Sequence, residues 1–307
     1  MNAARLLKAG TALTAMLAAG LAHANPERWQ LNLTPGVTDT SERIYNLHNL
    51  TTGLCVVIGI IVFGAMFWSM MFHRKSKGAV AATWSHNTKV EIIWTVIPIL
   101  ILIVMAIPAT KTLFMMADHH TGEQMQVKVT GYQWMWRYEY VGKDVQFLSR
   151  IDRLSDRTRA LGSGMDPYKV KVGSENTYLL DVDHPLVLPV DTKIEFLVTG
   201  DDVIHAWWVP ALGWKQDAIP GVINTNWTKI NKPGIYRGQC AELCGRDHGF
   251  MPIVVKAVPK AEFVAWLDQQ HGANTAAATA SAAPAATAEP VAAAAPAAAA
   301  PAAAATR

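Results

Sequence analysis

Leu50-Thr-Thr-Gly-Leu-Cys-Val-Val-Ile-Gly-Ile-Ile-Val-Phe-Gly-Ala-Met-Phe-Trp-Ser-Met-Met-Phe72 is a run of 23 residues without a charge. As a helix rising ~1.5 Å per residue it spans ~34 Å, enough to cross a ~30 Å hydrocarbon core. A second run, 92–116, is interrupted only by Lys111. Its Pro98 and Pro108 would break a helix in water, but a bilayer tolerates them because neighbouring helices can satisfy the freed carbonyls. A buried core helix is the competing reading for each run, and length and lack of charge count against it.

The segment between the runs, 73–91, carries Arg74, Lys75, Lys77 and Lys89 and no acidic residue before Glu91. The 25–49 flank holds Glu27, Asp39 and Glu42 against Arg28 and Arg43. Cationic short loops stay in the cytoplasm. The expected layout is therefore a periplasmic segment (25–49), a transmembrane helix (50–72), a cytoplasmic loop (73–91), a second transmembrane helix (92–116) and a periplasmic remainder. Residues 1–24 agree with it. Arg5 and Lys8 precede an Ala-rich apolar stretch that ends in Ala22-His23-Ala24, the pattern of a secretory signal peptide cleaved before Asn25. A retained first membrane helix is the alternative.

Beyond the second run the texture changes to short apolar stretches such as Met125-Gln-Val-Lys-Val-Thr, Thr177-Tyr-Leu-Leu, Lys193-Ile-Glu-Phe-Leu-Val and Pro252-Ile-Val-Val-Lys-Ala-Val. Gly173, Asp191, Gly200, Pro220-Gly221 and Pro233-Gly234 punctuate them. Short strands at such spacing predict an all-β sandwich or barrel over 117–272, closed by a short helix at 261–270. From 273 to 307 the chain is Ala-rich with Pro284, Pro290, Pro296 and Pro301, and prolines so closely spaced defeat alanine's helix preference. A disordered tail is the expectation there. The chain is 51% hydrophobic with a mean hydropathy of +0.15, and the apolar blocks account for the excess. Net charge is +3 with no Lys/Arg-rich run, which argues against a nucleic-acid partner.

The chemistry concentrates in Cys240-Ala-Glu-Leu-Cys244-Gly-Arg-Asp-His248-Gly-Phe-Met251. Thiolate, imidazole and thioether together make a soft-metal ligand set, and copper uses all three. Two thiolates facing one point can bridge two metals, which a mononuclear site does not need. A Cys240–Cys244 disulfide and a zinc site remain as competitors. A two-copper site wants a second imidazole. His205 stands out among ten histidines because it follows a strand-like run and opens Trp207-Trp208-Val-Pro. His48, His86, His119, His120 and His184 lack such surroundings.

Three stretches carry a family resemblance in addition to the Cys240–Met251 block. They are Gly131-Tyr-Gln-Trp134-Met-Trp136-Arg-Tyr138-Glu139-Tyr140, Asp202-Val-Ile-His205-Ala-Trp207 and Val209-Pro-Ala-Leu-Gly-Trp-Lys-Gln-Asp217-Ala-Ile-Pro-Gly221. Over about 40–268 the chain resembles cytochrome c oxidase subunit II. The related copper domains of nitrous oxide reductase lack the two-helix anchor. The resemblance implies a two-helix transmembrane hairpin followed by an all-β cupredoxin-like sandwich holding a binuclear copper A centre. Cys240 and Cys244 would bridge two copper ions, His205 and Met251 would complete one, and His248 with the Glu242 carbonyl the other. The Glu242 carboxylate would help bind magnesium at the contact with subunit I.

The resemblance further implies cytochrome c as donor, subunit I and other oxidase subunits as partners, and the bacterial inner (plasma) membrane as location. Trp134 would be the contact through which electrons come in. Glu139, Asp183 and Asp202 would face the lysines of cytochrome c. Over 117–272, however, 19 acidic residues meet 17 basic ones, so any acidic face must come from local placement. Glu91 matches a glutamate at the mouth of a proton path into subunit I, while Thr88-x-x-Glu91 also reads as a helix capping box. Tyr132 and His184-Pro185 depart from the family pattern without touching the ligands. A quinol oxidase subunit would lack these ligands, a copper carrier would expose them, and a fused cytochrome would need Cys-x-x-Cys-His, which is absent.

Overall fold

The structure, a computed structural model, describes residues 22–24, 30–118, 124–172 and 177–281. Most of the expected leader, His119 and His120, and the Pro-spaced end of the tail lie outside the described residues.

After a three-residue strand, β1 (Ala22–Ala24), the first helix, α1 (Asp39–Phe72), starts well before the apolar run. Its start is dictated by polar chemistry. Thr38 accepts from the Ser41 backbone N–H at 2.9 Å, and Ser41 Oγ accepts from the Thr38 N–H at 3.0 Å. This reciprocal capping satisfies helix donors that would otherwise be orphaned. The second helix, α2 (Thr88–Met116), is capped by Asn87 and not by Thr88: Asn87 Oδ1 accepts from Lys89 and Val90, and Glu91 returns a carboxylate to the Asn87 N–H at 3.2 Å. The expected capping box thus shifts by one residue, because Asn caps at least as well as Thr and Thr88 is free to take the first helical position. Both helices are long and apolar enough to cross a membrane, and their apolar faces are exposed.

From residue 124 the chain forms β2 (Gln124–Tyr132), β3 (Met135–Tyr140), β4 (Val145–Ser149), the short helix α3 (Arg153–Arg159), β5 (Leu186–Pro189), β6 (Lys193–Gly200), β7 (His205–Val209), β8 (Trp214–Ala218), β9 (Asn224–Lys229), β10 (Gly234–Cys240) and β11 (Pro252–Val258). One sheet runs β4-β3-β2-β6-β9 and the other β5-β11-β10-β7-β8, with β1 alongside β10. Alternation of buried and half-buried residues along β3 and β6 turns one row of side chains into the interlayer core. Trp136, Tyr138 and Tyr140 point inward, as do Phe196, Trp207 and Trp214, whose rings lie 5.0–5.1 Å apart.

Two elements differ from the sequence expectation. Thr177-Tyr-Leu-Leu is a turn, because Thr177 donates through its N–H and its hydroxyl to the Val172 carbonyl and Leu179 has a positive φ. The closing helix, α4 (Lys260–Ser281), runs past residue 270 into the Ala-rich segment, whose first proline is Pro284. Its Phe263 and Trp266 pack on Tyr140.

The sandwich is tied to both helices. Thr38 Oγ1 donates to the Leu212 carbonyl at 3.0 Å, and Gly213 lies so close to Ser41 that a Cβ there would meet Ser41 Cα at 2.6 Å. At the end of α2, Trp227 Nε1 donates to the Met116 carbonyl at 2.9 Å.

Within the sandwich, β10 and β7 approach closely at Gly238, where a Cβ would stand 2.0 Å from the Trp208 carbonyl oxygen. Gly238→Ala should therefore destabilise the domain by about 1–3 kcal/mol, the usual cost of overpacking. Thermal unfolding of the metal-free chain measures it, and an unchanged Tm would contradict this contact.

Candidate metal centre

His205 opens β7 and Cys240 ends β10, and the two strands pair with Cys240 opposite Trp207. The chain then makes one loop before returning as β11. The Cys240 N–H donates to the Met251 carbonyl at 3.3 Å and the Ala241 N–H to Ala206 at 3.0 Å, which closes the loop over the end of the sandwich. Gly245 takes φ +115° inside it, a conformation that side chains rarely adopt.

This folding brings the candidate donor atoms together. Cys240 Sγ and Cys244 Sγ are 3.9 Å apart as free thiols, so the disulfide reading is not realised. His205 Nδ1 lies 4.0 Å from the first sulfur, and His248 Nδ1 lies 3.5 Å from the second. Met251 Sδ is 3.5 Å from Cys244 Sγ, and the Glu242 carbonyl is 3.3 Å from Cys240 Sγ. The Glu242 side chain itself is exposed. Ligand atoms of His205, Cys240 and Cys244 all fall within 4.8 Å of one another, and all three residues are buried. Two thiols, two imidazoles and a thioether around one point fit a copper centre, whereas zinc has little use for the thioether.

Neighbours orient these groups. The Nε2 side of the His205 ring meets Asp202 Oδ1 at 2.9 Å, which leaves Nδ1 as the free lone pair aimed at the sulfurs. Trp136 packs edge-on against the ring at 5.9 Å, and Gly131 makes room for it, since a Cβ there would sit 2.8 Å from His205 Cδ2. Asp202 also accepts from the backbone N–H groups of Gln133 at 2.7 Å and Val203 at 2.6 Å. Burial works against charge on both partners and is outweighed: Cys240 first and then Asp202 raise the His205 pKa, and the bonds from His205, Val203 and Gln133 lower that of Asp202. Nothing in the sequence marked Asp202 as this partner, because the two residues meet through a bend between strands and not through a helical or strand period.

Trp134 sits in the two-residue turn between β2 and β3, half-buried against the core. Its Nε1 donates to the Cys244 carbonyl at 3.3 Å, as does Gln133 Nε2 at 2.8 Å, and Arg246 covers its ring at 5.4 Å. The expected docking acids do not converge on it. Asp183 lines a hollow of about 330 Å³ beside Trp134 and accepts from the Arg150 N–H at 2.8 Å. Glu139 is at the other end of β3, 4.0 Å from Lys128. Asp202 is engaged with His205. Glu91 lies apart from the centre, in the first turn of α2.

Burial raises the pKa of each thiol, but the outcomes diverge. The His205 ring and backbone contacts bring Cys240 down to about 7. Burial and the adjacent Cys240 charge push Cys244 up to about 12. In the metal-free chain with Cys55 replaced by alanine, so that only the two site thiols remain, thiolate absorbance should rise by one equivalent around pH 7 and by no second equivalent before strongly alkaline pH. Cys240→Ser should remove the Cys240 step and, by removing the charge beside it, move the Cys244 step to lower pH; in the chain with both thiols, their titrating together would contradict the asymmetry.

Two family models match the chain: cytochrome c oxidase subunit II, periplasmic domain, over residues 125–258, and cytochrome c oxidase subunit II, transmembrane domain, over 26–112. Among similar proteins, a probable cytochrome c oxidase subunit 2 of Rickettsia prowazekii is 38% identical over 243 residues, 79% of this chain and 72% of the relative. The cytochrome c oxidase subunit 2 of Cereibacter sphaeroides is 33% identical over 80% of this chain and 82% of the relative. The crystal structure of the periplasmic domain of subunit II of cytochrome oxidase of Bradyrhizobium japonicum, 39% identical, covers 48% of this chain and 94% of that one at a TM-score of 0.40.

Proposed function

The chain belongs to the cytochrome c oxidase subunit II family, a component of the haem–copper terminal oxidase, and from that premise we propose that it accepts electrons from cytochrome c at a binuclear copper A centre and hands them to the haems of subunit I. Reduction of oxygen to water, coupled to proton translocation, takes place in the assembled complex. The observation that carries the reading is the pair of buried sulfurs 3.9 Å apart with an imidazole beside each.

When bound, two copper ions supply a one-electron carrier shared between them. Cys240 and Cys244 would bridge them, with His205 and Met251 on one side and His248 and the Glu242 carbonyl on the other. The protein's own part is to hold those donors still and dry. Asp202 fixes the His205 tautomer, Trp136 and Gly131 fix the ring's position, and the buried aromatic layer excludes water. Burial of the ligands also disfavours a copper carrier, whose sites must exchange metal. The exposed Glu242 carboxylate is the proposed magnesium contact toward subunit I.

Trp134 is the proposed point of electron acceptance, since its indole bonds directly to the backbone of a bridging cysteine. Glu139, Asp183 and Asp202 remain the proposed acids for a basic donor, with Asp183 exposed beside Trp134 while its Oδ1 holds the Arg150 N–H. The proposed setting is a bacterial inner membrane, with residues 1–24, strand β1 among them, removed as a signal peptide and the sandwich in the periplasm. A proton role for Glu91 is supported by its place at the start of α2, on the side assigned to the cytoplasm.

Metal analysis of the purified full chain should give two coppers, sharing one unpaired electron when oxidised. Cys244→Ser should hold at most one. A single copper in the wild type would overturn the binuclear assignment.

Rapid mixing with reduced cytochrome c separates contact from steering. Trp134→Phe should slow transfer within the complex while leaving affinity near normal. Asp183→Asn should weaken association at low salt only, because exposed charges act over roughly a Debye length, ~8 Å at physiological ionic strength. An Asp183 effect undiminished at high salt, or a Trp134 effect confined to affinity, would refute the roles assigned.

A further inference from the structure

The segment between β4 and β5 leaves the sandwich and folds back toward the metal-binding loop. Its helix α3 is capped by Asp152, which accepts from Leu154 and Ser155, and ends at Arg159. The Arg159 guanidinium lies 4.3 Å from the Phe250 ring centroid. One of its nitrogens is 2.7 Å from Asp156 Oδ1 and another is 3.4 Å from Asp247 Oδ1. Asp247 directly precedes His248, and Phe250 directly precedes Met251. One side chain, largely covered itself, therefore grips the loop immediately before two of its candidate ligands.

We propose that Arg159 is a positioning residue: it clamps the outer half of the metal-binding loop so that His248 and Met251 face the two sulfurs. The proposal rests on the copper reading above. Its physical basis is the shape of the group. A planar guanidinium stacks on an aromatic face and forks to carboxylates at the same time, which an ammonium cannot do. Without it, Asp156 would lose its 2.7 Å partner, Asp247 would keep only the exposed Arg246 at 3.5 Å, and the one-turn helix His248–Phe250 would lose its outside support.

The test uses the copper-loaded, detergent-solubilised full chain and measures copper release to a chelator, the electron-spin spectrum, and the Tm of the metal-free form. Arg159→Ala should lower copper affinity roughly 10- to 100-fold, the range seen for outer partners of metal ligands, and change the copper hyperfine pattern. Arg159→Lys keeps the charge but loses the stacking, so it should fall between Ala and wild type. Phe250→Leu removes the stacking alone and should give a smaller loss. Wild-type affinity and spectrum in Arg159→Ala, with only the metal-free Tm lowered, would overturn the clamp. Should that variant fail to fold, wild-type affinity in both Arg159→Lys and Phe250→Leu would overturn it instead. A wild-type chain that binds no copper would overturn the functional reading itself, and the clamp with it.

Discussion

Two cysteine sulfurs held 3.9 Å apart in a buried pocket are the constraint on which the rest of the domain depends. As thiolates they repel, and burial in an apolar setting makes that repulsion costly. The surroundings place an imidazole beside each sulfur, His205 at Cys240 and His248 at Cys244. A pocket that must be kept in this arrangement cannot rest on a flexible loop. Hence the backbone bonds that close the loop on β7, and the packing of its ligands into the same core as Trp136 and Trp207.

The loop is braced from two sides. On the inner side, the Gln133–Trp134 turn donates two hydrogen bonds to the Cys244 carbonyl and is itself tied to Asp202, and through it to His205. On the outer side stand Arg159 and its carboxylates. Displacing a brace would move a ligand, so residues that never touch a metal share in setting the site. Asp202 is the sharpest case. The family resemblance casts it as a docking charge, but its carboxylate accepts three hydrogen bonds at the back of the centre, and neutralising it would disturb His205 as well as any partner.

The placement of the sandwich over the membrane has its own chemistry. The capped start of α1 carries Thr38, which also bonds to Leu212, and the end of α2 is met by Trp227. Both ties are short and polar, and both sit where the apolar runs have ended.

Hydropathy and ligand chemistry were enough to read the two apolar helices, the β-rich domain and the four side chains between Cys240 and Met251 that gather at the candidate centre. Each of these depends on residue type and local spacing, which a chain carries with it before folding. Loops and caps were read less well: Thr177-Tyr-Leu-Leu turned rather than paired, and Asn87 rather than Thr88 capped α2, because local hydrogen bonds outcompeted apolar pattern. Only the tertiary structure decided that His205 would reach the pocket with its Nε2 held by Asp202, that Trp134 would bond to a ligand's backbone, and that Glu139 would lie away from both. Those relations join strands far apart in sequence, and the register that aligns them is a property of the packed sheets and not of any one segment.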